Sequence, residues 1–248
     1  MRRLAVALLS VGLFCGGVAA AQTPEATAAA AAAVANPARP DADRARDAAR
    51  KPAEIVAFAG VKPGDVVAEF LPGGGYYTRV ISRTVGPNGH VYAMVPAGFA
   101  QRPGGLDALN ALAAELGNVT VVATDLTSFT LDPPVDLAWT TENYHDMHNG
   151  PAPSFAGVNA AAFAALKPGG TLVVIDHSAP AGSGTSTTGA THRIDRQFTI
   201  DTLTAAGFVL EEEADFYARP EDPRTANVGD PSIRGKTDQF ALRFRKPG

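Results

Sequence analysis

From Asp65 to the end of the sequence, short apolar runs alternate with stretches whose apolar residues recur at helical spacing. The runs at 66–71, 91–95, 119–123, 135–140 and 171–176 are apolar on both alternating faces, as in strands covered from above and below. Between them, helices are predicted over 77–85, 106–116, 159–166 and 200–206. The second of these places Leu106, Leu109, Leu112, Ala113 and Leu116 on one stripe. Gly86-Pro87-Asn88-Gly89 and Lys167-Pro168-Gly169-Gly170 punctuate the pattern as turns. Two last strands, 208–214 and 239–245, have no long helix between them and are expected to pair antiparallel. The fold class is therefore α/β: a Rossmann-like, mostly parallel sheet with helices on both faces and an antiparallel C-terminal strand pair.

The region before Asp65 reads differently. Residues 41–60 are helical in pattern, with Asp41 placed to cap and Ile55, Val56, Phe58 and Ala59 forming an apolar face. The charged run Asp43-Arg44-Ala45-Arg46-Asp47 suits either a solvated face or a helix lying over a ligand mouth. Residues 22–40 are rich in alanine, carry three prolines and lack large apolar side chains, so a flexible linker is expected there. Residues 1–21 carry Arg2 and Arg3, an apolar run and Ala19-Ala20-Ala21, the layout of a secretory signal. Three segments follow: signal 1–21, linker 22–40 and a single domain 41–248. The expected location is exported, periplasmic or secreted, with no stable membrane association after cleavage. The only cysteine, Cys15, lies in the signal, so a cleaved chain has no disulfide, thiol nucleophile or thiolate metal ligand. With a net charge of −4 and no basic stripe, nucleic acid is not an expected partner.

The most informative stretch is Glu69-Phe70-Leu71-Pro72-Gly73-Gly74-Gly75-Tyr76-Tyr77. It is a strand end carrying an acid, then a glycine turn, then a helix start. Glycines let the backbone approach a ligand that a side chain would block. The helix start behind them presents free N–H groups and the positive end of its dipole.

Further along come Glu142-Asn143-Tyr144-His145-Asp146, Leu166-Lys167-Pro168-Gly169-Gly170, His192-Arg193-Ile194-Asp195 and Ile233-Arg234-Gly235-Lys236-Thr237-Asp238. In this order and spacing the sequence resembles the class I S-adenosylmethionine-dependent methyltransferases, and among them the secreted bacterial "predicted methyltransferase" branch. The resemblance spans about 41–248. It implies S-adenosyl-L-methionine as cofactor. Glu69, Gly73, Gly74, Gly75, Tyr77, Asp125 and Tyr144 are the implied cofactor-binding residues: Glu69 toward the amino group, Asp125 toward the adenine, and the tyrosines near the sulfonium or the adenine. Two positions depart from the family pattern. Leu71 stands where the first glycine is usual, and Val95 where an acid at the end of the second strand usually holds the ribose.

The sequence has five histidines. His145, His148, His177 and His192 all follow predicted strand ends or the loops after them, where an open α/β sheet binds its ligand. His145 is the candidate general base, with Asp146 or Asp176 to orient it. The spacing His145-x-x-His148 fits no strong metal signature, so no metal is expected. The reading is a methyltransferase acting outside the cytoplasm on an unidentified small-molecule or protein acceptor. A non-catalytic extracytoplasmic binding protein on the same fold is the alternative.

Overall fold

A computed structural model describes residues 24–149 and 155–248. The predicted signal segment, residues 1–21, and the side chain of His148 lie outside the described residues. Seven strands form one sheet: β1 (Val66–Phe70), β2 (His90–Pro96), β3 (Val119–Thr124), β4 (Val135–Thr141), β5 (Leu166–His177), β6 (Val209–Ala214) and β7 (Gln239–Arg245). Their order is β3-β2-β1-β4-β5-β7-β6. The first five are parallel, and β7 runs antiparallel to both β5 and β6. The expected fold class holds, but β6 and β7 are separated by the long segment 215–238 and do not form a tight hairpin.

Strand parity divides the core in two. Val67, Leu137, Trp139, Val173 and Ile175 point to one face. That face is covered by α1 (Pro24–Ala35), α4 (Pro52–Ala59), α5 (Tyr76–Val85) and α6 (Asp107–Leu116). Ala68, Phe70, Ala138, Leu172 and Val174 point to the other, under α7 (Phe155–Ala165) and α9 (Arg196–Ala205). Two short helices, α2 (Asp41–Arg44) and α3 (Asp47–Arg50), precede α4, and α8 (Thr188–Thr191) precedes α9.

The N-terminal region corrects two expectations. The predicted linker is helical over Pro24–Ala35, and Ala26, Ala30 and Ala33 are buried. Alanine has the highest helix propensity, and its small side chain lets α1 lie close against α4 and α5 without large apolar residues. The single helix expected over 41–60 is broken into three. Lys51, at φ 41°, adopts a left-handed conformation before Pro52, and proline disfavours helix in the residue before it.

Strand order reverses between β1 and β4. At their carboxyl ends the loops diverge, which is where sheets of this kind open to a ligand.

Candidate active site

The glycine turn leaves β1 with Leu71 in the left-handed region, at φ 52°. A glycine would adopt this conformation freely, whereas in leucine it stores strain. Asn143 holds it: its Nδ2 donates to the carbonyls of Phe70 (3.1 Å) and Leu71 (3.0 Å), while the Leu71 N–H donates to Met94 O at 2.8 Å. The departure at Leu71 therefore changes the residue and keeps the backbone turn. Gly73 and Gly75 also have positive φ, 57° and 78°. Their surroundings differ. A Cβ on Gly73 would meet nothing within 4 Å, whereas one on Gly75 would lie 2.1 Å from Leu112 Cδ2. Gly73 faces open space, and Gly75 packs against α6.

Beneath the turn is a cavity of about 210 Å³ lined by Glu69, Gly73, Gly74, Tyr76, Tyr77 and Thr141, among others. Glu69 is buried and accepts a hydrogen bond from Thr78 Oγ1 at 2.6 Å. Burial raises its pKa to about 7, against the opposing pull of that bond. The Thr141 hydroxyl, buried on the same wall, has no hydrogen-bond partner. Tyr77 donates to Arg50 O at 2.9 Å and packs on Trp139.

A second cavity, about 540 Å³, adjoins the first through Leu71 and Asn143 and runs along Pro96–Phe99, Asp125 and Met147. Asp125 is on its wall, with its carboxylate occupied in a turn: it accepts from Thr127 N (2.9 Å), Thr127 Oγ1 (2.7 Å) and Ser128 Oγ (3.2 Å). Val95 is buried in the core, and no carboxylate from β2 enters the cavity. Tyr144 lines none of these spaces. Its ring packs on Phe155 and its hydroxyl donates to Asn159 Oδ1 at 3.1 Å, so its place near a cofactor is taken by core packing.

The third cavity, about 550 Å³, shares Arg46, Arg50 and Glu142 with the first. His145, Asp146, His177 and His192 form one side of it, and Tyr217, Arg219 and Arg234 from 215–238 form the other. His145 is 2 % exposed. Its Nδ1 is 2.7 Å from Asp176 Oδ1, and Asp176, fully buried, also accepts the backbone N–H groups of His145 (2.8 Å) and His177 (2.7 Å). Burial, the largest single influence, would lower the His145 pKa, but the carboxylates of Asp176, Asp146 and Glu142 together outweigh it and the net shift is upward. His177 is shifted downward by burial. Asp195 is not in the cluster: it caps α9 by accepting from Gln197 N at 2.8 Å. Arg193 is buried and paired with Asp222 at 2.8 Å.

The sequence left the charged run at 43–47 open between two roles, and the structure places it over the mouth. Arg46 and Arg50 stack on the Tyr76 ring at 4.9 and 5.0 Å and line both the first and third cavities. The Tyr76 hydroxyl donates to Asp47 at 2.6 Å, and Asp47 is paired with the buried Arg39. Arg50 pairs with Glu142 across the opening. Arg50, outside that run, was not singled out in the sequence, because nothing local to it indicates a glycine turn far downstream. The role of Asn143 was missed for the same reason.

No protein-family model matches the sequence, and no curated protein matches it. Solved structures do. A SAM-dependent methyltransferase from Aquifex aeolicus superposes with a TM-score of 0.56 at 18 % identity, over 78 % of this chain and 88 % of that one. The glycopeptide N-methyltransferase MtfA, complexed with sinefungin, gives 0.56 at 16 % identity, over 82 % and 87 %. The [4+2]-cyclase SpnF gives 0.56 at 18 %, over 86 % and 85 %. At these identities the likeness establishes the fold, which is the Rossmann-like fold found in SAM-dependent methyltransferases.

Proposed function

We propose that this chain is an S-adenosylmethionine-dependent methyltransferase, exported from the cytoplasm and acting on a small-molecule or protein acceptor. One observation carries the reading: the glycine turn opens into a cavity that shares Arg50 and Glu142 with a second chamber rimmed by histidines. That layout suits a donor and an acceptor meeting at a common wall.

The residues present fit the cofactor on three counts. Gly73 leaves free the space that a Cβ would fill. The Thr141 hydroxyl lacks a partner, and Glu69 offers a carboxyl group to an ammonium. When bound, the cofactor supplies an electrophilic methyl group on a sulfonium. Glu69 and Thr141 would hold its amino-acid end, and the glycine backbone would lie against it. Tyr77 and Trp139 buttress the wall behind. Across the opening, the histidine rim would orient the acceptor and withdraw its proton. Alignment of this kind accounts for up to about 7–11 kcal/mol of a barrier in favourable cases. Isothermal titration of the chain from Gln22 with S-adenosylmethionine and its demethylated product tests the reading. Saturable binding of both is expected, and no heat from either with a protein folded by circular dichroism would overturn it.

A second reading, a non-catalytic extracytoplasmic binding protein, is favoured by one feature. With Val95 in the core, the ribose has no carboxylate acceptor from β2. The SpnF likeness adds that this fold is not confined to one chemistry. Binding without methyl transfer to any acceptor would favour this alternative.

A further inference from the structure

His145 Nε2, His192 Nδ1 and Asp146 Oδ1 form a triangle with sides of 3.2, 3.2 and 3.4 Å. The Asp176 carboxylate faces His145 Nδ1, so Nε2 is the ring nitrogen turned toward the triangle. A cation at the centre would lie within ligand distance of all three atoms.

We infer that His145, Asp146 and His192 form a binding site for a divalent transition-metal ion of the zinc type, opening into the third cavity. The inference rests on three observations besides charge. First, tetrahedral ligands at about 2.0–2.1 Å from zinc lie about 3.3–3.4 Å apart, close to the three distances found. Second, Asp176 holds the outer nitrogen of His145 from full burial, the carboxylate–histidine arrangement that orients metal ligands. Third, His192 stands at the C-cap of α8 in the left-handed conformation, at φ 54°, ψ 48°, which fixes where its ring is presented. Its N–H donates to Thr188 O at 3.1 Å, and Val228 N–H donates to the adjoining Thr191 O at 3.1 Å. Two imidazoles and one carboxylate suit zinc, cobalt or iron(II) better than magnesium or calcium, which prefer oxygen.

Asp146 and His192 are 43 % and 42 % exposed at their side chains, so the remaining coordination positions face the cavity. An ion there would bind an acceptor through oxygen and lower the pKa of a hydroxyl, which deepens the methyltransferase reading and rests on it for that role. The sequence pointed away from a metal because only His145-x-x-His148 was visible in it. The ligand that completes the site is 47 residues from His145.

The test is metal binding, read independently of turnover. Metal-stripped protein is titrated with Co²⁺, whose visible absorption reports low-symmetry nitrogen and oxygen coordination, and with Zn²⁺ by calorimetry. One equivalent is expected. His192→Gly removes one ligand and relieves the left-handed strain, so it should fold as well as the wild type yet bind at least about 100-fold more weakly. Asp146→Ala should behave likewise, and Asp176→Asn should weaken binding by about 10–100-fold. No uptake by the wild type, or equal uptake by His192→Gly and Asp146→Ala, overturns the site. Calorimetry with S-adenosylmethionine on the same samples separates the outcomes: cofactor binding without metal defeats this inference alone, and metal binding without cofactor defeats the methyltransferase reading alone.

Discussion

The glycine-turn cavity and the histidine rim adjoin, yet they are built by different means. The first is made of backbone. Leu71, Gly73 and Gly75 bend the chain within a few residues, and the wall they leave is one the main chain itself forms. The second is made of side chains delivered by separate loops: His145 and Asp146 after β4, Asp176 and His177 at the end of β5, and His192 after α8. A backbone site tolerates changes of side chain that keep its dihedral angles, as Leu71 demonstrates. A side-chain site depends on each contributing loop holding its position.

That contrast can be broken from either side. The largest expected effect is on the rim. His145→Ala should lower turnover on a genuine acceptor by about 10²–10⁴-fold while cofactor affinity stays within a few-fold. A parallel fall in affinity by calorimetry would mean that the two regions are not independent.

Glu69 comes next, through pH. Its folded pKa of about 7 lies above the ordinary carboxyl value of 4.5. Between those values the folded protein keeps a proton that the unfolded chain releases, so stability should fall as pH rises from about 4.5 to 7 and then level off. The full difference is roughly 3 kcal/mol. Glu69→Gln should flatten that part of the profile in urea unfolding, and an unchanged profile would refute the buried-acid account. An ammonium beside Glu69 favours the carboxylate, so cofactor binding near pH 6 should release protons. Calorimetry in buffers of different ionisation enthalpy reads this directly.

Gly73→Val tests the backbone cavity alone. Its Cβ would enter open space with no protein atom within 4 Å, so it should cut cofactor affinity by at least about 100-fold, roughly 2.7 kcal/mol. The fold should be retained, with a modest loss from the positive φ. Gly75 offers a control, because a Cβ there collides with Leu112 and should lower the melting temperature instead. The smallest effect is at Leu71. Leu71→Gly relieves strain of about 1 kcal/mol but gives up apolar contacts of a half-buried side chain, so stability should change by less than about 1 kcal/mol, with cofactor affinity kept.

The difference between the regions also explains what could be read from the sequence. Strands and helices were legible because parity and helical spacing are local. The glycine turn was legible for the same reason. The antiparallel last pair followed from the absence of a crossover helix, whereas in the 215–238 segment that walls the third cavity only 233–238 stood out, as part of the family resemblance and with no role attached. The histidine rim was visible as a set of strand ends, but not as a geometry. Which histidine meets His145 depends on where α8 stops, and that is decided by a left-handed turn at His192 itself. Tyr144 misled because its neighbours face the site, whereas it begins a 3₁₀ turn (His145–His148) and points into the α7 face. The alanine-rich segment misled because composition measures how much apolar surface a helix offers, not how closely it can approach.

That last helix has a practical consequence. α1 covers α5 with Ala30 and Ala33, and Arg39, a few residues later, donates to Val34 O at 2.8 Å while paired with Asp47. Asp47 in turn holds Tyr76, the first residue after the glycine turn. The N-terminal helix is thus tied by a continuous run of contacts to the glycine-turn cavity. The proposed signal cleavage after Ala21 would leave the run whole. A protein shortened to begin at Asp41 would strip the cover from α5 and leave Asp47, the acceptor of the Tyr76 hydroxyl, without its buried cation. Such a shortened chain should aggregate or be cut rapidly by trypsin at Arg46 and Arg50, while the chain from Gln22 resists. Equal resistance would show that the seventeen described residues before Asp41 are ornamental.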